Sequence, residues 1–199
     1  MYKGRKIIAM APAHNEEAKI GQVVARTDRG LIDTMLVIDD ASTDRTAEVA
    51  RERGATVVST NHRIGVGGAL RLGIEYGRQT GHDIAVILAG NNKDNPAEIP
   101  RLLDPICEQD VQLVIGSRFL AGGGYGGDMP GYRKLATRLH PWLLSMCVGK
   151  KLTESTNGFR ALQLSLLDDP RINLNQSWLD SYGLEVYLLF KTIKLGYRH

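Results

Sequence analysis

Residues 6–44 read KIIAMAPAHNEEAKIGQVVARTDRGLIDTMLVIDDASTD. Lys6–Met10 is a short run ended by Pro12, and its apolar residues follow one another without alternation. Ala18–Thr27 carries Ile20, Val23 and Val24 at the spacing of one helical face. Asn15 is the expected N-cap, with Glu16 and Glu17 in the first turn, where acidic side chains favour the helix dipole. Met35–Ile38 is a second apolar run, ended by Asp39-Asp40. Two strands apolar on both faces and joined by an amphipathic helix predict parallel neighbours in a sheet covered on both sides.

The same alternation continues outward. A helix is expected over Asp44–Arg53, capped by Ser42 or Thr43 and stopped by Gly54. Thr56–Ser59 is a strand, Ala69–Arg78 a helix ended near Gly81, and Ile84–Leu88 a strand. Asn95-Pro96 supplies a cap and a first-turn proline for a helix through Glu108, and Val111–Ile115 is a strand. The fold class is therefore α/β, with ligands expected beyond the carboxyl ends of the strands. That places chemistry at residues 12–17, 39–44, 61–68, 89–94 and 117–127.

The last third differs. Ala121–Gly131 holds six glycines and reads as a loop. Gly131–Val148 is amphipathic, with Pro141 expected to kink or split it. The ordinary expectation for its apolar side, which carries Trp142, Leu143 and Met146, is packing on the sheet. Arg133, Lys134, Arg138 and Lys150 beside that side would equally suit a membrane surface. A final helix is expected over Tyr182–Leu195.

Composition narrows the class. The 199 residues are 43% apolar and 24% charged, which excludes disordered and collagen-like chains. A net charge of +3 gives no basis for nucleic-acid binding. Two widely separated cysteines, Cys107 and Cys147, suit a reducing compartment rather than a disulfide scaffold. The N-terminal apolar stretch is too short for a secretory signal, and no run approaches the ~20 apolar residues that span a bilayer. The expected location is the cytoplasm, with the membrane's cytoplasmic face as a site of contact. One domain is expected over residues 1–199, its acceptor side at about 117–199.

Five segments, in order, resemble family 2 glycosyltransferases. Ala11–Glu16 is similar to their P-x-Y-N-E loop, and Val37–Thr46 to V-D-D-G-S-x-D-x-T. Gly65-Val66-Gly67-Gly68-Ala69 with Gly73 resembles G-x-G-x-A-x-x-x-G. Gly116-Ser117-Arg118-Phe119 and Asn157-Gly158-Phe159-Arg160 resemble G-S-R-[FY] and [ST]-G-F-R of the subgroup like dolichyl-phosphate mannosyltransferase and other polyprenyl-phosphate glycosyltransferases. The resemblance implies a GT-A fold, a mostly parallel mixed sheet with helices on both faces. It also implies a further strand beyond His199.

By position, the resemblance puts Pro12, Ala13, Glu16, Asp39, Asp40, Gly68, Ala89, Gly90 and Asn91 at the nucleotide sugar, with Asp40 on the base or ribose. Arg118 would face a phosphate, as a planar guanidinium can. Arg133 and Lys134 would face the acceptor, with Arg160 a further candidate. The implied reaction is inverting transfer of a hexose from a UDP- or GDP-linked sugar. For a polyprenyl phosphate acceptor no base is needed, because a phosphate monoester is ionised near neutral pH. For a sugar hydroxyl acceptor in glycan synthesis, Asp128 or Glu185 would be the base.

One departure is sharp. The family's D-x-D, which holds Mg²⁺ or Mn²⁺ on the donor diphosphate, is Ala89-Gly90-Asn91 here, followed by Asn92-Lys93-Asp94. Asn91 and Asp94 are the only metal candidates in that loop, and Lys93 could take over part of the metal's charge neutralisation, making metal independence plausible. The same loss supports a rival: a sugar-nucleotide-binding module without catalysis. Nucleotidyltransferases are disfavoured because Pro12-Ala13-His14-Asn15 stands where their Gly-rich basic loop belongs. Dehydrogenases are disfavoured because the glycine cluster lacks the third glycine and follows the third strand.

Overall fold

The structure, a computed structural model, describes residues 1–125 and 129–199. Strand β1 (Ile7–Ala13) is buried along nearly its whole length and divides the core by alternation. Ile7, Ala9, Ala11 and Ala13 enter one apolar cluster, while Ile8 and Met10 enter the other. The first cluster is closed by α1 (Glu17–Arg26), α2 (Thr46–Glu52) and α4 (Ile99–Gln109). The second is closed by α3 (Gly65–Gln79) and α6 (Gly183–Lys194).

The remaining strands are β2 (Thr34–Asp39), β3 (Thr56–Ser59), β4 (Ile84–Ile87), β5 (Leu113–Ile115) and β6 (Arg160–Gln163). The sheet order is β3-β2-β1-β4-β6-β5. The β1–β2, β2–β3 and β1–β4 pairs are parallel, and β6 runs antiparallel to both β4 and β5. The order reverses at β1, so a crevice opens beyond the ends of β1, β2 and β4. This is the expected mixed sheet with helices on both faces. Strand β6 was not foreseen from the sequence: Arg160 and Gln163 at its ends look like surface residues, yet both are buried.

Three local expectations are corrected. Asn15 does not cap α1; its backbone is left-handed, and its side-chain oxygen accepts the Thr43 N–H at 2.8 Å, tying the β1 and β2 loops together. Helix α3 starts at Gly65 rather than Ala69, because the Asp40 carboxylate accepts the Ile64 and Gly65 N–H groups at 2.7 and 3.0 Å. Helix α5 (Gly131–Val148) runs unbroken through Pro141.

The apolar side of α5 does not pack on the sheet. Tyr132 is 75% exposed, and Leu135, Leu139, Trp142, Leu143 and Met146 are also exposed. Within α5 only Pro141 and Val148 are buried. Among the described residues no helix is long and apolar enough to cross a membrane.

Candidate active site

The loops after β1 and β2 form one knitted surface. Asp40 N–H donates to the Ala13 carbonyl at 2.8 Å, Asn15 N–H to Ser42 Oγ at 3.0 Å, and Glu16 N–H to Thr46 Oγ1 at 2.7 Å. The loop after β4 lies against this surface. A Cβ at Gly90 would stand 2.6 Å from the Pro12 carbonyl oxygen, so only glycine allows the approach. Pro12, Ala13, Glu16, Asp39, Asp40, Ala89, Gly90 and Asn91 are thus brought together. Gly68 lies on α3, lining an adjoining cavity of about 850 Å³ with His62, Arg63 and Arg71.

The two carboxylates after β2 have different partners. Asp40, expected on the base or ribose, uses both oxygens on the backbone at the start of α3; the donor it requires is supplied by the fold. Asp39 is buried, and among the described residues its carboxylate accepts only the Ser42 N–H, at 3.2 Å through Oδ1. Asp40 accepts from Ile64, Gly65 and Thr60 and Asp39 from Ser42 alone, so Asp39 keeps the larger acceptor capacity.

Beyond β4, Asp94 folds back under the strand end, where its Oδ2 accepts the Ala89 N–H at 2.7 Å. Burial pushes its carboxyl above the ordinary value of 3.8, and the charge of Glu185 adds to the rise. Ala89 N–H and the charges of Lys93 and Arg118 oppose it. Lys93, Asp94, Arg118 and Glu185 therefore share one electrostatic environment. Lys93 is exposed and makes no hydrogen bond or ion pair among the described residues. Asn91 Oδ1 is buried without a partner, an arrangement that costs free energy unless a donor or cation arrives. A neutral amide oxygen and one carboxylate fit a hard divalent ion of the kind that takes its other ligands from phosphate and water. Among the described residues no cluster of three or more His, Cys, Asp or Glu side chains offers another metal site.

Arg118 follows β5, as expected, but its guanidinium is largely engaged. Nε and Nη2 donate to the two oxygens of Glu154 at 2.7 and 2.9 Å, and Nη2 donates also to Thr156 Oγ1 at 2.6 Å. Burial would raise the Glu154 carboxyl, but Arg118 and the N–H groups of Thr156 and Ser155 hold it below the ordinary glutamate range. Nη1 of Arg118 is left for a ligand. Sequence reasoning missed Glu154, whose partner lies 36 positions away and whose neighbours carry no apolar pattern.

A groove of about 1090 Å³ runs from Arg118 between the 119–125 segment and α5. Phe119, Tyr125, Trp142 and Met146 contribute its apolar walls, and Arg138, Lys150 and Lys151 its cations. Arg133 and Lys134 do not line it; they stand exposed in the first turn of α5, with Lys134 Nζ 5.7 Å from the centre of the Tyr125 ring. Arg160 is corrected outright. Its side chain is 0% exposed and cannot touch an acceptor. Glu185 lies in the first turn of α6, near enough to Asp94 for their charges to interact, whereas Asp128 falls outside the described residues.

The comparisons with known proteins agree with this geometry. The sequence pattern of Glycosyl transferase family 2 matches residues 9–169. An undecaprenyl-phosphate mannosyltransferase from Micrococcus luteus is 32% identical over 202 residues, spanning 97% of this chain and 80% of that protein. Glucosyl-3-phosphoglycerate synthase from Mycobacterium tuberculosis, solved with Mn²⁺, UDP and glucosyl-3-phosphoglycerate, superposes with a TM-score of 0.71 at 28% identity, over 98% of this chain and 68% of that one. A structure of the same synthase holds UDP-glucose, and others hold UDP with Mn²⁺ or Mg²⁺. The chain has the GT-A architecture of these enzymes and belongs to glycosyl transferase family 2.

Proposed function

We propose that the protein moves a hexose from a UDP- or GDP-linked donor to a polyprenyl phosphate, with inversion at the anomeric carbon. One observation carries the choice of acceptor: the groove beside Arg118 joins apolar walls to cations, and it opens along a helix whose apolar side is exposed. A phosphate on an isoprenoid chain matches both features, and such a helix suits a membrane surface.

The chain's residues would divide the work as follows. Pro12, Ala13, Glu16 and Asp39 hold the nucleotide. The diphosphate lies against residues 89–94. Asn91 and Asp94 would hold a divalent ion there, and that ion would balance charge on the leaving diphosphate. Lys93 supplies a fixed positive charge at the same loop. Nη1 of Arg118 and the cations of the groove orient the acceptor phosphate. A phosphate oxygen forms the bond to the anomeric carbon as the bond to the diphosphate breaks, and the electron pair leaves with the nucleotide. No proton need be removed, because the phosphate is already ionised.

A second reading has its own support. Glu154 neutralises Arg118, which weakens that residue as a phosphate ligand, while Glu185, held by one long contact, keeps acceptor capacity to serve as a base for a sugar hydroxyl. Radiolabelled UDP-glucose and GDP-mannose, offered with undecaprenyl phosphate in detergent micelles or with soluble glycans, separate the two. Label extracted into the organic phase is expected; label only in a soluble glycan would establish the second reading instead.

A further inference from the structure

Arg160 is the largest wholly buried side chain of the molecule. Taking a guanidinium out of water costs several kcal/mol, and replacing buried ion pairs by apolar residues is often neutral or stabilising. The fold therefore needs a reason to keep it. Its hydrogen bonds supply one. Nη1 donates to the backbone carbonyl of Glu185 at 2.9 Å, and Nη2 to the carbonyl of Asn157. Nε has no hydrogen-bond partner and stands 3.6 Å from Glu185 Oε1. One side chain thus holds Glu185 by its backbone and faces its carboxylate, while anchoring the loop that leads into β6.

The contrast with the other buried pair is informative. Glu154 has its oxygens occupied by Arg118, Thr156 and Ser155. Glu185 is held loosely, by one long contact, and its side chain remains 15% exposed, with Asp94 near enough to feel its charge. Its oxygens keep acceptor capacity, as a group that must meet substrate requires. Active-site contacts of this kind are often long in the free enzyme and close when substrate binds.

We propose that Arg160 is a positioning residue: it fixes Glu185 so that the carboxylate faces the point of sugar transfer without being consumed by its partner. The proposal rests on the glycosyl-transfer reading, and takes Glu185 as a carboxylate that stabilises the positive charge developing on the transferred sugar, whichever acceptor is used.

The test uses Arg160→Met, Arg160→Lys, Glu185→Gln and the double variant Arg160→Met/Glu185→Gln. Three quantities are read: UDP affinity by calorimetry, the ¹³C resonance of the Glu185 carboxyl (assigned by its loss in Glu185→Gln), and transfer kinetics with UDP-glucose or GDP-mannose. Arg160→Met should move the Glu185 resonance and lower kcat about 100-fold, the scale on which small misplacements act, while UDP affinity stays within about twofold. Arg160→Lys should recover part of that loss. In the Glu185→Gln background, Arg160→Met should cost less than about threefold more, since residues that act as a unit are not additive. An unmoved Glu185 resonance, or an equal loss of kcat in both backgrounds, overturns the proposal. Should Arg160→Met not fold, Arg160→Lys carries the same readings. Wild-type protein that turns over neither donor would overturn the transfer reading alone, because the resonance still decides what Arg160 holds.

Discussion

Asp94 is a carboxylate held where burial opposes its charge. Its folded value lies above 3.8, so the stability it contributes is full below that pH and is lost as pH rises through the folded value. Asp94→Asn should therefore raise the melting temperature near neutral pH by a few degrees, the scale on which ~1 kcal/mol acts in a chain of this size, while lowering transfer activity by less than about tenfold, as removal of the metal would. Thermal melts beside an activity assay check the pair of effects; a variant that is both less stable and fully active would contradict it. Glu154 behaves oppositely. Its value lies below 4.5, so its contribution is present above that pH and is lost as pH falls below it. Glu154→Gln should destabilise the protein at pH 7 by roughly 3 kcal/mol, since it leaves Arg118 without its counter-charge, and should flatten the acid limb of the stability curve. Urea melts from pH 3 to 7 read both.

At the scale of elements, two packing features invite substitution. A Cβ on Gly67 would stand 1.8 Å from the carbonyl oxygen of Leu179, so α3 and the 177–181 segment meet backbone to backbone. Gly67→Ala should force them apart and cost at least about 2 kcal/mol by overpacking. Helix α5 makes the second case. Trp142 is 58% exposed, and burying a large apolar side chain is worth about 1.5–3 kcal/mol. Trp142→Ser should lower co-sedimentation with phosphatidylglycerol vesicles about tenfold and leave thermal stability unchanged; unaltered sedimentation would argue against membrane contact by this face. These elements also show where the sequence was readable. The strands β1, β2 and β4 announced themselves because both faces are apolar, and β3 by its paired valines between a glycine and a turn. Strand β6 did not, because its four residues RALQ show neither alternation nor an apolar run. The exposure of α5 was equally hidden: an apolar stripe has the same spacing whether it meets a sheet or a membrane.

Across the whole molecule, the rim of the sheet was legible because strand ends in this topology converge, so motifs far apart in sequence fall beside one another. What the motifs could not reveal is which polar groups are already satisfied. Asp39 and Asp40 are adjacent and alike in sequence, yet Asp40 has a backbone donor on each oxygen and Asp39 has one in all. Arg118 is expected at a phosphate and Arg160 is a further candidate at the acceptor, yet one is neutralised and the other sealed inside. The charge balance of the cleft yields a further expectation. Lys93 brings a cation to the loop that would hold the metal, so excess chelator should slow transfer less than about tenfold, whereas Lys93→Met should slow it about 100-fold, the size of effect seen on removing one group that stabilises developing charge. Strict dependence on Mg²⁺ or Mn²⁺ would contradict that role for Lys93. Most direct of all is a crystal structure of the protein with a bound nucleoside diphosphate sugar. The base should lie among Pro12, Ala13, Glu16 and Asp39, and the diphosphate against Ala89–Asp94 with the sugar facing Glu185; a donor seated anywhere else on the molecule would contradict the account.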